Sequence, residues 1–152
     1  MMKRTVAILV CLIAAWLMGP AAANSPSECL LGLRDSLVEG DFSGPLVCSE
    51  SDASFILVGR TNGDRYSIYD YRYRYLPPNG NVRHGGQKIV VFHGATYIGQ
   101  YSLSPPPYKS ISVCGARVVV QSQDGKGRYF LDFSDHPPSE VFVDDEILDF
   151  YR

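Results

Sequence analysis

From Ser54 to the C-terminus the chain is a succession of short runs rich in Val, Ile, Tyr and Phe, separated by turn residues about every 8–12 positions. Such punctuation leaves no room for long helices. It predicts a mainly β domain, an antiparallel meander of about eight strands. The expected strands are 55–60, 66–75, 88–93, 96–103, 111–114, 117–121, 128–133, 141–143 and 146–150. Thr61-Asn62-Gly63-Asp64, Gly94-Ala95, Gly115-Ala116, Asp124-Gly125-Lys126-Gly127 and Asp144-Asp145 supply tight turns. Pro77-Pro78-Asn79-Gly80, running on to Gly85-Gly86, reads as a long loop, and Pro105-Pro106-Pro107 and Pro137-Pro138 break the chain. A meander of this kind hides its edges by closing into a small barrel or folding over as a sandwich, and a small barrel or strongly curled sheet is the preferred expectation.

Ahead of the strands, residues 25–39 form the one good helix pattern. Ser25 or Ser27 can cap it, Pro26 suits its first turn, and Leu30, Leu31, Leu33 and Leu37 fall near helical spacing before Gly40. This short N-terminal helix is expected against one end of the β domain, so that 24–53 and 54–152 make one folded unit.

The first 23 residues carry a secretory pattern. Lys3 and Arg4 precede an apolar run from Thr5 to Met18, followed by Gly19-Pro20 and the small residues Ala21-Ala22-Ala23. The run is shorter than the ~20 residues of a membrane span. Cys11 lies too early in it for a lipid anchor. The expectation is a signal peptide over 1–23, cleaved to leave a periplasmic or secreted protein of about 129 residues with no membrane span. Export favours disulfides. Of Cys29, Cys48 and Cys114, the first pair is the preferred bridge and Cys48–Cys114 its competitor.

Charge is segregated. Residues 24–52 hold six acidic groups and Arg34, residues 53–131 hold ten basic groups and three acidic ones, and residues 132–152 hold seven acidic groups and Arg152. A basic face for an anionic partner is one outcome; mutual compensation of the middle and the ends is the plainer one. An exported acidic chain is not expected to bind nucleic acid.

The strand 66–75 stands out. Alternation puts Tyr69, Tyr71, Tyr73 and Tyr75 on one face and Ile68, Asp70, Arg72 and Arg74 on the other. Neither is a clean apolar stripe. Tyrosine gives a stiff, broad contact surface with a polar tip. Tyr69, Tyr71, Arg72, Tyr73, Arg74 and Tyr75 are therefore the candidate binding residues, with a protein or an envelope glycan as partner. The alternative is a Tyr face packed inward with a solvated Arg face. No motif for a cofactor, nucleotide, metal or catalytic triad is present. His84, His93 and His136 lack metal-ligand spacing, and the Asp144-Asp145-Glu146 cluster lacks the calcium-loop pattern. The leading expectation is a non-catalytic binding protein. A small hydrolase using His93, Cys114 and Asp132 or Asp135, and a structural or assembly role through a free strand edge, are the alternatives.

Overall fold

The computed structural model describes residues 26–61, 63–104 and 108–152. The expected leader with Cys11, the cap candidate Ser25, the turn residue Asn62 and the Pro105-Pro106-Pro107 break lie outside the described residues. The chain is mainly β. Nine strands follow one another: β1 (Ala53–Thr61), β2 (Tyr66–Tyr75), β3 (His84–His93), β4 (Thr96–Leu103), β5 (Ser110–Cys114), β6 (Arg117–Gln121), β7 (Arg128–Asp132), β8 (Glu140–Val143) and β9 (Glu146–Asp149). They form an antiparallel sheet β1-β2-β3-β4, a second sheet β5-β6-β7 and the hairpin β8-β9.

The expected barrel closure does not occur. The two larger sheets stay open and pack face to face as a sandwich. Instead of extending the first sheet beyond β4, β5 lies beside β1, where Gly59 comes so near Val113 that a Cβ would meet it at 3.0 Å. Between the sheets lie Ile68, Ile89, Val91, Tyr101 and Leu103 from one side and Val118, Val120, Leu131 and Phe133 from the other. Val143 and Leu148 of the β8-β9 hairpin complete this core.

A second core occupies the opposite face of the β1–β4 sheet. There Tyr71, Val90, Phe92 and Tyr97 pack with Cys29, Leu30 and Leu37, and Phe42, Leu46 and Phe55 lie against them. The N-terminal segment therefore covers a face of the sheet rather than one end of it, and the four-stranded sheet is a middle layer.

The predicted 25–39 helix is broken. A 3₁₀ segment spans Pro26–Gly32 and a short helix α1 spans Arg34–Glu39. Cys29 is extended, and Leu30 and Leu31 are left-handed, with φ of 54° and 58°. That backbone costs roughly 1–2 kcal/mol per residue. Burying a leucine returns about 1.5–3 kcal/mol, and the turn places Leu30 in the core beside Cys29, which is bonded to Cys48 with Cα atoms 5.1 Å apart. Leu31 is left in solvent at 61 % exposure.

Turn chemistry explains the hairpins. Gly94 and Gly115, with φ of 61° and 60°, take the first central position of two-residue turns, and Asp144 and Asp145 are both left-handed. One loop expectation is corrected. Gly85 and Gly86 belong to β3, opposite Arg74 and Tyr73, where the Tyr73 ring fills the space a side chain at 86 would need. Missing side chains here mark close aromatic packing rather than a turn.

Candidate functional site at the end of strand β2

The alternation read along β2 holds, and both of its faces are covered over the first two thirds. On the Tyr face, Tyr71 is fully buried. Its hydroxyl accepts the Val47 amide at 2.8 Å and donates to the Pro45 carbonyl at 2.8 Å. Burial pushes its phenol up to about 12, despite the amide hydrogen bond. Tyr69 is half-buried, stacked on Phe55 with ring centroids 4.8 Å apart. Tyr71 is thus corrected from a contact residue to a core residue: the N-terminal segment has apolar surface to bury, and this face receives it.

On the other face, Ile68 lies in the inter-sheet core and Asp70 is buried. The Asp70 carboxylate accepts from Arg72 Nε at 2.9 Å and from Gln87 Nε2 at 2.9 Å. Gln87 also bonds both the carbonyl and the amide of Lys109, at 2.7 and 2.8 Å. A buried carboxylate is tolerated because charge and hydrogen bonds both reach it.

Only the last residues of β2 open to the surface. Arg72, Tyr73 and Arg74, with the segment Glu50–Ser54 and Tyr108, line a shallow depression of about 260 Å³. The Arg72 guanidinium sits over the Tyr108 ring at 5.3 Å and donates to the Lys109 carbonyl at 3.2 Å. Arg74 donates to the Ser51 carbonyl at 2.8 Å, and its backbone amide to Asp52 at 2.7 Å. Arg83 pairs with Asp52 at 2.5 Å. Tyr73 and Tyr75 are half-buried, their rings following one another at 6.1 Å, with His84 at 5.8 Å from Tyr75. Burial, with Tyr75, Tyr151 and Tyr108 nearby, raises the Tyr73 phenol. Stacked guanidinium and phenol planes beside a run of backbone groups suit a flat, hydroxyl- or amide-bearing ligand.

The segregated charges meet one another: at this depression Asp52 from the acidic N-terminal part meets Arg74 and Arg83, and elsewhere Asp144 from the acidic C-terminal part meets Lys109 at 3.4 Å. Sequence reading missed Tyr108, Asp52 and Arg83. No local pattern marks them, since they reach the site from three separate loops.

The residues of the hydrolase reading divide between two places. Cys114 and Asp132 line one hollow of about 380 Å³ on the outer face of β5–β7, with Arg117, Phe130 and Ser134. Ser134 hydrogen bonds and Arg117 hold the Asp132 carboxyl below its usual range, and Cys114 is an exposed free thiol. His93 pairs with Tyr66 in the other sheet and shares its inward-facing side, where the two rings lie 5.9 Å apart. His93 is not among the residues that line the hollow of Cys114 and Asp132. Asp135 uses its backbone carbonyl to accept from Tyr66 at 3.1 Å. His136 lies in an exposed loop. Among the described residues, no three His, Cys, Asp or Glu side chains group to hold a metal ion, and no helix is long and apolar enough to cross a membrane. The Cys29–Cys48 disulfide is compatible with an extracellular or periplasmic setting.

Comparison with family models, with curated proteins and with solved structures finds no match to this chain.

Proposed function

We propose that this is an exported binding protein that engages a protein or an envelope glycan non-catalytically through the end of β2. The observation that supports this reading is the depression where Arg72, Tyr73 and Arg74 meet Tyr108. It is the part of the Tyr/Arg strand left at the surface, and its planar groups are already held by Asp70, Ser51 and Lys109. Ligand contact there costs little side-chain entropy because the side chains are fixed beforehand. Leader, disulfide and acidic balance fit a periplasmic or secreted location.

The test has two arms. Purified protein is sedimented with isolated cell-envelope glycan, and a photo-crosslinker at position 108 is used in cells to trap a protein. Tyr108→Ala and Arg74→Ala are expected to weaken whichever interaction is found by about tenfold, the loss of one good contact residue. Binding that survives both substitutions removes the depression from the site. Absence of signal in both arms overturns the binding reading.

A further inference from the structure

Buried cations are ordinarily paired with acids. Lys109, buried in this fold, follows the rule through Asp144. Lys88, buried to 6 % exposure, does not. Its Nζ donates to Ser102 Oγ at 2.7 Å and to the Tyr151 hydroxyl at 3.1 Å, and no carboxylate among the described residues pairs with it. The rings of Phe42 and Tyr151 lie 5.9 and 5.5 Å from the same nitrogen. Gly44, at φ 135°, lets the N-terminal segment pass against the Lys88 side chain, where a Cβ would stand 2.9 Å from Cε. Ser102 and Tyr151 are half-buried, and their hydroxyls are hydrogen-bonded to each other. Lys88 and Ser102 face one another across β3 and β4, and Tyr151 is brought alongside by its two backbone hydrogen bonds to Gln100.

We propose that Ser102 is a nucleophile poised for acyl transfer, with the Tyr151 oxygen as its proton acceptor and the Lys88 ammonium as the charge that holds that oxygen. Three residues from distant parts of the chain form a closed triangle of hydrogen bonds around one unpaired cation. Burial would raise the Tyr151 phenol, but hydrogen bonds from Ser102 and Lys88 and the Lys88 charge bring it below its usual value. The substrate class is an activated carboxylic ester. Ser102 Oγ attacks the carbonyl carbon while its proton passes to Tyr151. The carbon–oxygen bond to the leaving group then breaks, and the proton on Tyr151 passes to the departing oxygen or, when that leaves as a stable anion such as nitrophenolate, to water. The acyl–Ser102 ester is hydrolysed when water gives a proton to Tyr151 and bonds to the acyl carbon; the Ser102 Oγ–acyl bond then breaks, the acid leaves, and Oγ takes the proton back from Tyr151. This centre goes beyond the binding reading and is independent of it, because the tests use different residues.

The experiment treats the disulfide-bonded protein with p-nitrophenyl acetate and follows nitrophenolate release and the acetylated site by mass spectrometry. Acetyl on Ser102 is expected, with a rate that rises with pH as Tyr151 ionises. Ser102→Ala should abolish that modification. Tyr151→Phe should slow it about 100-fold or more, the scale of general-base assistance. Lys88→Met risks unfolding a buried site, so the two half-buried positions are the ones varied, with folding checked by circular dichroism. Acetyl groups found only on lysines and the N-terminus overturn the proposal. So does an unchanged Ser102 rate and pH profile in folded Tyr151→Phe.

Discussion

The Tyr71 hydroxyl accepts the Val47 amide hydrogen at 2.8 Å, joining the middle of β2 to a loop 24 residues earlier. The same oxygen donates to Pro45, so one phenol fastens the N-terminal layer to the sheet. Tyr71→Phe keeps the ring and removes both bonds, leaving a part-buried amide without its partner. The expected cost is about 1–3 kcal/mol, read as a lower urea midpoint with an unchanged slope.

Reduction of the Cys29–Cys48 bridge should act on the same layer. The bridge closes a separation of 19 residues, a loop worth about 3 kcal/mol in the chain-entropy model. A Cys29→Ser, Cys48→Ser double variant is therefore expected to melt at a lower temperature. Cys114→Ser should leave the melting temperature unchanged, because that thiol is exposed and free.

Gln87 links the two sheets by bonding Asp70 in β2 and both backbone groups of Lys109 just before β5. Gln87→Leu has nearly the same bulk and none of these bonds. It takes one hydrogen bond from a buried carboxylate still paired with Arg72 and leaves two backbone groups of Lys109 without their partner, so a loss of about 2–4 kcal/mol is expected. Asp70→Asn in the same background should cost less than it does in the wild-type chain, since the Gln87 bond to that carboxylate is already gone. A double-mutant cycle in urea measures the coupling.

Alkaline stability should follow the buried phenols. Tyr71 is raised from 10.0 to about 12 by burial, and Tyr97 and Tyr101 are raised further, also by burial. A raised folded value means the fold favours the protonated form. That stability is whole below pH 10 and is lost as pH climbs through 12 and beyond. A phenolate absorbance titration should show Tyr151 ionising early and these three ionising together with loss of the near-ultraviolet circular dichroism. Early ionisation of all tyrosines in a folded protein would contradict the burial.

Gly99 takes φ 155° within β4, and the Phe150 ring lies against its Cα. Gly99→Ala meets both the ring and the unfavourable backbone, so it is expected to cost several times the ~1 kcal/mol of an ordinary glycine replacement. The companion Phe150→Leu variant should relieve part of the loss in thermal melts.

Much of the local structure was legible. The limits of β2 agree with the alternation of its ten residues, and the turns at Gly94, Gly115 and Asp144-Asp145 sit where glycine and aspartate tolerate left-handed backbone. Cys29–Cys48 is the bridge the sequence favours and the one that forms, although spacing alone leaves Cys48–Cys114 open. Gly85-Gly86 misled, because glycine answers equally to a turn and to a ring lying overhead. Leu30 and Leu31 misled because helical spacing says nothing of the left-handed backbone both adopt next to the bridged Cys29.

By itself, the sequence determined that the chain makes short antiparallel strands with tight turns, since side-chain alternation and turn chemistry act over a few neighbouring residues. Only tertiary structure decided which faces are sealed. Tyr71 and Asp70 point to opposite sides of one strand, yet both are buried, because the four-stranded sheet is covered on both faces. The same long-range packing leaves Arg74 at the surface and gathers Lys88, Ser102 and Tyr151 into one cluster. Each of those contacts joins residues far apart in the chain, and burial of apolar surface, rather than any local pattern, holds them together.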